Sequence, residues 1–159
     1  MQVITVPVMA KPKESRFSIP AGNDQYRVRG KVQLETDARL YVVLPHMHRL
    51  GKSIRISFTP PGESEQLLIA IDDWDYRWQE IYMLKQPLSL KAGTVMSAEG
   101  VFDNSAGNPN QPFDHPKIVK EGAGAADEMV YGFIGATADS GGEIKVKELG
   151  KVVGASAKR

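Results

Sequence analysis

The sequence contains no cysteine among its 159 residues. This absence excludes disulfide bonds, thiolate metal sites and thiol nucleophiles together. Any bound metal ion must therefore be held by histidine, methionine or carboxylate side chains. The sequence also lacks an apolar run near the ~20 residues that a membrane-spanning helix requires, so we expect no membrane span.

An excess of charge of one sign is missing as well. The chain has 20 Lys and Arg residues against 19 Asp and Glu residues, which leaves a formal net charge of +1. This balance gives no electrostatic reason to expect nucleic acid or an anionic membrane as a partner. The first eight residues show no basic segment leading into a long apolar core and do not resemble a secretory signal. The residues alone leave the compartment open.

Apolar and polar side chains alternate along most of the chain, which is the pattern of half-buried β-strands. Residues 26–34 follow this alternation throughout, and residues 54–58 repeat it. Strands are also predicted over the segments rich in Val, Ile, Leu and Tyr at 39–47, 65–71, 94–102 and 129–137. Shorter strands are predicted at 3–8, 14–19, 80–84, 87–90 and 144–148.

The turn-forming residues, 15 glycines and 10 prolines, fall mostly between these segments. Many short strands separated by such turns predict an all-β, two-sheet antiparallel sandwich, with residues 1–159 as a single domain. Residues 104–127 are the longest stretch without a strand pattern, and loops of that length in a compact domain are usually functional or mobile. The tail at 150–159 is expected to be frayed.

Two histidines, His46 and His48, lie at the end of the apolar strand predicted over 39–47. Residues i and i+2 of a strand share one face about 7 Å apart, so both imidazoles can converge on one ion while Met47 points the other way. The preceding residues of that face are apolar, and we expect the pair to continue an inward stripe formed by Leu40, Val42 and Leu44. A metal ion would satisfy both rings; two hydrogen-bonded histidines at the rim of the core are the alternative.

The residues alone do not fix a third ligand. His115, the remaining histidine, lies in the long loop, where histidines are more often simply solvated. Carboxylates qualify by type, although most are expected to be surface charges; they are found at Asp72, Asp73, Asp75, Asp127 and Glu128.

The string His-Met-His-Arg-Leu-Gly-Lys at residues 46–52 is followed some eighty residues later by Asp-Glu-Met at 127–129. Together with the segment 87–104, these residues resemble the C-terminal domain of the copper type II, ascorbate-dependent monooxygenases, the family of peptidylglycine α-hydroxylating monooxygenase and dopamine β-monooxygenase. The resemblance covers residues 17–137. It implies a jelly-roll-like sandwich of about nine strands with one catalytic copper ion, whose protein ligands are His46, His48 and Met129.

The resemblance implies a copper ion that activates dioxygen beside a C–H bond of a small-molecule or peptide-like substrate, with ascorbate or another external reductant. A soft thioether favours cuprous copper and imidazole suits both oxidation states, which agrees with a redox-cycling ion. Without the resemblance, Met129 would be predicted as a buried core methionine. Asp127 and Glu128 would hold the ligand strand in place or, alternatively, remain exposed charges.

The chain departs from the family in two ways. The two-domain enzymes bind a second, electron-transferring copper through three further histidines, whereas this chain has three histidines in all. Family members also carry a cysteine after the ligand methionine, where this chain has Val130. We therefore expect an oxidoreductase domain that is incomplete alone and receives electrons from another domain or protein. The alternative is a non-catalytic copper-binding or interaction module. The resemblance also suggests a periplasmic or secreted location.

Aromatic residues alternate with polar ones over residues 73–79, so Trp74, Tyr76 and Trp78 are predicted to share one face. Such a face can bind substrate or pack on the core, and core packing is the favoured interpretation for Trp74. Arg55 and Arg77 are candidates for anchoring the carboxylate of a peptide-like substrate, with ordinary surface arginine as the alternative.

Overall fold

The computed structural model describes residues 1–7 and 17–153. Within these ranges the chain forms eleven β-strands and no helix. The strands are β1 (Gln2–Pro7), β2 (Ser18–Ile19), β3 (Tyr26–Leu34), β4 (Ala38–Met47), β5 (Gly51–Thr59), β6 (Gln66–Ile71), β7 (Tyr82–Leu90), β8 (Val95–Phe102), β9 (Val119–Lys120), β10 (Val130–Ala138) and β11 (Val146–Val153). The described part of the chain accordingly contains no helix that could span a bilayer.

The strands form two main sheets. One has four strands in the order β1-β10-β4-β7, and the other has five in the order β11-β3-β8-β5-β6. β2 and β9 pair separately as a short ribbon. All pairs of named strands are antiparallel. The predicted all-β antiparallel sandwich is confirmed, while its jelly-roll connectivity stays a prediction.

The hydrophobic core lies between the two sheets. In β3, buried residues alternate with half-buried ones from Tyr26 to Leu34, as expected of a strand with one face on the core. Gly100 of β8 shows how closely the sheets meet. A Cβ atom there would lie 2.8 Å from Cγ2 of Val130 and 2.9 Å from Cε of Met47, both on the four-stranded sheet. Met47 and Val130 are therefore core residues that reach across the sandwich.

Two strand predictions change in detail. The segments 80–84 and 87–90 belong to one strand, β7, whose pairing with β4 is interrupted between Met83 and Leu88. Pro87 lies in this interruption, where its missing N–H costs no ladder hydrogen bond. The structure also contains β9, which was not predicted because a two-residue strand has no detectable period.

The C-terminal tail prediction is corrected in part. Residues 150–153 are not frayed: they form the end of β11 because they pair with residues 28–31 of β3. The rest of that tail, 154–159, lies outside the described residues, as do residue 8 and residues 14–16 of the predicted strands 3–8 and 14–19.

Candidate metal centre

His46 and His48 lie side by side at the end of β4. Their ring centroids are 5.2 Å apart, and the ring planes are nearly perpendicular at 86°. On the neighbouring strand β10, Tyr131 is opposite His46 and stacks on Phe133 with 5.3 Å between centroids. The ring of His46 is 6.3 Å from that of Tyr131 and 6.2 Å from that of Phe133. The histidine pair therefore borders an aromatic surface.

The pair faces outward, which corrects the predicted inward stripe. Leu40 is buried, but the pairing of β4 with both neighbours skips Tyr41 and resumes at Val42. This extra residue is a β-bulge, and it reverses the side of the sheet to which later residues point. Beyond the bulge the buried positions of β4 are Val43, Pro45 and Met47. His46 and His48 consequently lie on the outer face of the four-stranded sheet.

Hydrogen bonds fix which nitrogen of each imidazole carries the proton. Nδ1 of His48 lies 2.8 Å from the carbonyl oxygen of Asp127, which can only accept, so Nδ1 donates. Nδ1 of His46 lies 2.6 Å from Oε1 of Gln79. The amide nitrogen of Gln79 donates to the carbonyl of Tyr76 at 2.8 Å, so the amide oxygen is free to accept from His46. Both rings thus present the lone pair of Nε2.

The electrostatic surroundings of His46 favour its neutral form. Burial is the main cause that lowers the pKa of His46, the nearby His48 adds to the decrease, and the hydrogen bond to Gln79 opposes it. A lowered pKa leaves the ring unprotonated near pH 7, as a metal ligand must be. Among the described residues, no group of three or more His, Asp or Glu side chains is arranged to hold a metal ion. A three-ligand site on this pair therefore needs another type of donor.

Met129 lies directly before β10. In the ladder between β10 and β4, Tyr131 pairs with His46 and Val130 pairs with Met47. Continuing this register by one residue puts Met129 opposite His48, and directly opposite residues of an antiparallel pair share a face. Met129 is half-buried, so it is not the core methionine that the strand pattern alone predicts.

Glu128 connects the chain segments of His48 and Met129. Its side chain is buried, and its two carboxylate oxygens accept from the backbone N–H of Leu50 at 2.7 Å and of His48 at 3.2 Å. Desolvation raises the pKa of Glu128 to about 8, and these hydrogen bonds oppose the increase. Glu128 is therefore not the exposed charge of the alternative prediction, because its buried side chain ties residue 128 to the turn after His48.

Asp127 orients His48 with its main chain rather than with its carboxylate. The carboxylate instead accepts from the backbone N–H of Gly124 at 3.2 Å. A Cβ atom at Gly124 would lie 2.8 Å from Oδ2 of Asp127, and one at Gly122 would lie closer still. The two glycines therefore let the loop close tightly around this carboxylate, which presents the Asp127 carbonyl to the His48 ring.

The predicted aromatic face is wrong because residues 72–80 form a loop, in which side chains do not alternate. Trp74 is 4% exposed and donates from Nε1 to the carbonyl of His48 at 3.2 Å, whereas Trp78 is 70% exposed. The core packing of Trp74 is confirmed. Tyr76 is half-buried and is the ring of this group that stands beside the histidine pair.

Three other predicted site residues, His115, Arg55 and Arg77, form no hydrogen bond or ring contact with the histidine pair among the described residues. His115 is exposed in the long loop, and within the described part of the chain no hydrogen bond or ring contact joins it to the pair. Arg55 forms an ion pair with Asp72 at 2.9 Å on the five-stranded sheet. Arg77 forms one with Asp75 at 2.8 Å. Both arginines are exposed and already neutralised, so neither is positioned as the expected carboxylate anchor.

Two residues of the site were not predicted, Gln79 and Arg49. Gln79 reaches His46 across 33 residues of sequence through a loop of irregular conformation, and no local pattern signals that contact. Arg49 follows His48 directly, and this adjacency in sequence could have identified Arg49 as a residue of the site. With Tyr76 and two alanines, both residues line a cleft of about 310 Å³ beside His48.

Comparison with known proteins points to one family. The model of the copper type II ascorbate-dependent monooxygenase, C-terminal domain, matches residues 4–135. Among curated proteins, DBH-like monooxygenase protein 1 from Mus musculus is 28% identical over 93 residues, which is 52% of this chain. The chain spans about 15% of the length of that curated relative. The range that the family matches contains both histidines and Met129.

Proposed function

Because the chain belongs to the copper type II, ascorbate-dependent monooxygenase family as its C-terminal domain, we propose that it is the copper-binding catalytic domain of a monooxygenase-like protein. In this proposal one copper ion is bound by His46, His48 and Met129. The substrate is a small molecule or a peptide-like compound, and ascorbate or another external reductant is the source of electrons. An electron-donating domain or protein completes the reaction.

One observation carries the proposal: two neighbouring imidazoles on the same outer face both present Nε2. The Nδ1 atoms are held by the Asp127 carbonyl and the Gln79 amide oxygen. Histidine ligands of metals commonly donate their other ring N–H to such acceptors, which fixes the tautomer and the ring orientation. The residues present therefore fit a metal ion bound through the two Nε2 atoms.

The type of the third donor favours copper over zinc. No carboxylate in the described residues completes a three-ligand group with the histidines. The register of β10 supports Met129 as the third ligand, because continuing it one residue beyond the pair Val130–Met47 brings Met129 opposite His48. A thioether is a soft donor that suits cuprous copper, whereas zinc sites use thiolate, imidazole or carboxylate.

Bound copper would supply one-electron redox chemistry toward dioxygen. The contribution of the chain itself is position and protonation state. Asp127 and Gln79 orient the rings, burial keeps His46 neutral, and Glu128 fixes the turn after His48. Tyr131 packs beside His46, with 6.3 Å between the ring centroids.

The electron count explains why a partner belongs to the proposal. Hydroxylation with dioxygen consumes two electrons, whereas one copper ion exchanges one. The third histidine of the chain, His115, is exposed and forms no hydrogen bond or ring contact with the pair among the described residues. A second histidine-rich copper site therefore has to be supplied by another domain or protein, unless a reductant delivers the second electron directly.

The second candidate is a non-catalytic copper-binding or interaction module on the same sandwich. The histidine count favours it, since three histidines cannot provide both copper sites of the two-domain enzymes. Both candidates share the metal ligands and differ only in turnover.

Metal binding is tested by equilibrium dialysis of the purified chain against copper, with cuprous affinity measured by competition with a chelator. We expect one ion per chain, and loss of binding in His46→Ala and His48→Ala. His115→Ala is the matched control, because it removes an exposed histidine that has no hydrogen bond or ring contact with the pair among the described residues. Full copper affinity in His48→Ala would refute the assigned site.

Turnover is tested on the copper-loaded chain by ascorbate-driven oxygen consumption, with and without a candidate electron-donating domain. Consumption coupled to hydroxylated product supports the catalytic proposal. Stoichiometric copper without product in either condition supports the binding module instead.

A further inference from the structure

The last strand, β11, contributes no described side chain to the core. Its residues 146–150 are all exposed, and the two large apolar residues among them, Val146 and Leu149, are 39% and 44% exposed. The last buried side chain among the described ones is that of Ile144, just before the strand. β11 also lies outside residues 4–135, the range that the family model matches. The strand is therefore an addition at the edge of the five-stranded sheet, where it pairs with β3 alone.

Backbone pairing with β3 holds β11 in place, and this pairing is interrupted. The register shifts between Glu148 and Gly150, and such a bulge disrupts the hydrogen bonds of a ladder locally. Ladder hydrogen bonds without burial of apolar side chains contribute little beyond the entropy that is lost when a strand becomes ordered. β11 therefore belongs to the least stable part of the fold, which opens locally while the rest stays folded.

The strand beneath it, β3, carries three cations on its outer face. Arg27, Arg29 and Lys31 occupy the half-buried positions that alternate with the buried ones. Arg27 forms an ion pair with Glu99, and Arg29 forms one with Glu65. Lys31 has no ion pair among the described residues. The edge that β11 covers is therefore positively charged and is only partly neutralised from the other side of β3.

β11 supplies no counter-charge to these cations. The register puts Gly150 opposite Lys31 and Val152 opposite Arg29, and neither of these β11 residues is acidic. Lys147 belongs to the next pair on the same face, so it is a diagonal neighbour of Lys31, and like charges in such positions repel. A strand with acidic residues at these positions would fit the edge of β3 better than β11 does.

We propose that β3 is a docking edge for an extended, acidic segment of a partner protein, which joins the five-stranded sheet in place of β11. Main-chain hydrogen bonds to β3 supply the affinity, and carboxylates opposite Lys31 and Arg29 supply the preference for an acidic sequence. β11 is the competitor within the chain. Because it is tethered, its effective concentration at β3 is of the order of millimolar, and an uncharged strand does not displace it readily. The proposal is independent of copper binding.

Local opening is tested first, by amide hydrogen exchange on the copper-free, ¹⁵N-labelled full chain. We expect the amides of β11 to exchange at least about tenfold faster than those of β8, the central strand of the same sheet. Equal protection of the two strands would show that β11 does not open separately and would overturn the proposal.

Docking is tested with a peptide of residues 143–153 in which all three lysines are replaced by glutamate. We expect this acidic peptide to shift the amide signals of β3 and to release those of β11 to unpaired positions. The unmodified peptide and a glutamine-for-lysine peptide should bind at least about tenfold more weakly. The acidic peptide with Leu149→Pro should also bind at least about tenfold more weakly, because proline cannot donate to the ladder.

Two results with these peptides would overturn the proposal. Equal affinity of the unmodified peptide would identify a second copy of this chain as the partner. Equal affinity of the proline peptide would show that charge alone causes binding, without a strand pairing with β3.

Lys31→Glu should lower the affinity for the acidic peptide at least about tenfold, with an otherwise unchanged spectrum that reports the fold. Lys85→Glu is the matched control, because Lys85 is an exposed lysine on β7 of the other sheet. It should bind the acidic peptide as the unmodified chain does. An equal loss of affinity in both variants, or no loss in Lys31→Glu, would contradict the assigned edge.

A disulfide bond between β11 and β3 tests displacement directly. Gln33 and Lys147 are opposite each other in the ladder, and the chain has no cysteine of its own, so Gln33→Cys with Lys147→Cys forms one defined bond. The oxidised variant should not bind the acidic peptide, and reduction should restore binding. Binding by the oxidised variant would overturn the proposal, since the peptide would then lie on the outer face of the sheet and not at its edge.

Discussion

The carboxylate of Glu128 accepts a hydrogen bond from the backbone N–H of His48, at 3.2 Å and across eighty residues of sequence. The same carboxylate accepts from Leu50, so one buried side chain fixes both ends of the turn at residues 48–50. The turn that carries His48 is therefore held from the segment that carries Met129.

The titration of Glu128 should appear in the stability of the copper-free chain. Its pKa is raised from 4.5 to about 8 in the folded state, so between these values the folded chain retains a proton that the unfolded chain has lost. The stabilising contribution is complete below about pH 4.5 and is lost as the pH rises through about 8. Relative to Glu128→Gln, the free energy of unfolding should fall with rising pH, with a slope of up to about 1.4 kcal/mol per pH unit.

Urea unfolding of both proteins at several pH values in this range measures that difference. Comparison with the glutamine variant cancels the titration of His46, whose lowered pKa has the opposite effect on stability below its ordinary value. A difference that does not change with pH would show that Glu128 is ionised throughout.

Gln79→Ala should weaken copper binding without altering the ligands. The substitution removes the acceptor for Nδ1 of His46, so the ring loses its fixed tautomer and orientation. Removing such a supporting hydrogen bond typically costs about 10- to 100-fold in metal affinity. Isothermal titration with copper measures the change, and Gln86→Ala, an exposed glutamine on β7, should leave the affinity unaltered. An affinity equal to that of the unmodified chain would mean that Gln79 does not orient His46.

Gly51→Ala should destabilise the fold through Trp74. The added Cβ would lie 2.6 Å from Cδ1 of Trp74 and 3.1 Å from Cβ of Met47, and the ring cannot move because it is buried. Overpacking of this kind costs about 1 to 3 kcal/mol of unfolding free energy. Thermal or urea unfolding measures it. Gly107→Ala is the control, since the nearest atom to its added Cβ is a serine hydroxyl at 3.7 Å; similar losses in both variants would contradict the packing argument.

Met47→Ala should mainly lower the stability of the fold, whereas Met129→Ala should mainly lower the affinity for cuprous copper. Met47 is fully buried, so its truncation should cost about 2 to 5 kcal/mol of unfolding free energy and leave the cuprous affinity of the folded chain unchanged. Met129 is half-buried, so its truncation should cost about 1 kcal/mol and should weaken cuprous binding. Chelator competition and urea unfolding on both variants give the comparison. Unchanged cuprous affinity in Met129→Ala would remove the thioether from the ligand set.

The sequence predicts strands well where one face is buried and the other is not. The prediction over 26–34 coincides with β3, because alternation is the direct consequence of packing one face on a core. The same reasoning put the histidines on the wrong face of β4. A single extra residue, Tyr41, inverts all later positions, and no feature of a β-branched and aromatic stretch identifies which residue forms a bulge.

The candidate site was predictable in its local part only. His46 and His48 are two residues apart, so their convergence follows from strand geometry. The contacts of Gln79 and Glu128 with them join residues 33 and 80 positions apart, and these depend on how loops cross the end of the sheet. The prediction that the rings at 74–78 share one face was wrong because these residues form a loop. Alternation of aromatic and polar residues in a loop does not put the aromatic side chains on one face.

Because the histidine pair lies on the outer face of the sheet, folding of the core does not involve the side chains of the pair. Met47 and Val130 fill the interior directly behind the pair, so the packing of the core uses none of the side chains that would bind the proposed ion. If the proposed copper ion binds, it is therefore added to a finished scaffold, and a lineage that lost the ion would keep a sandwich on which a new surface activity could evolve.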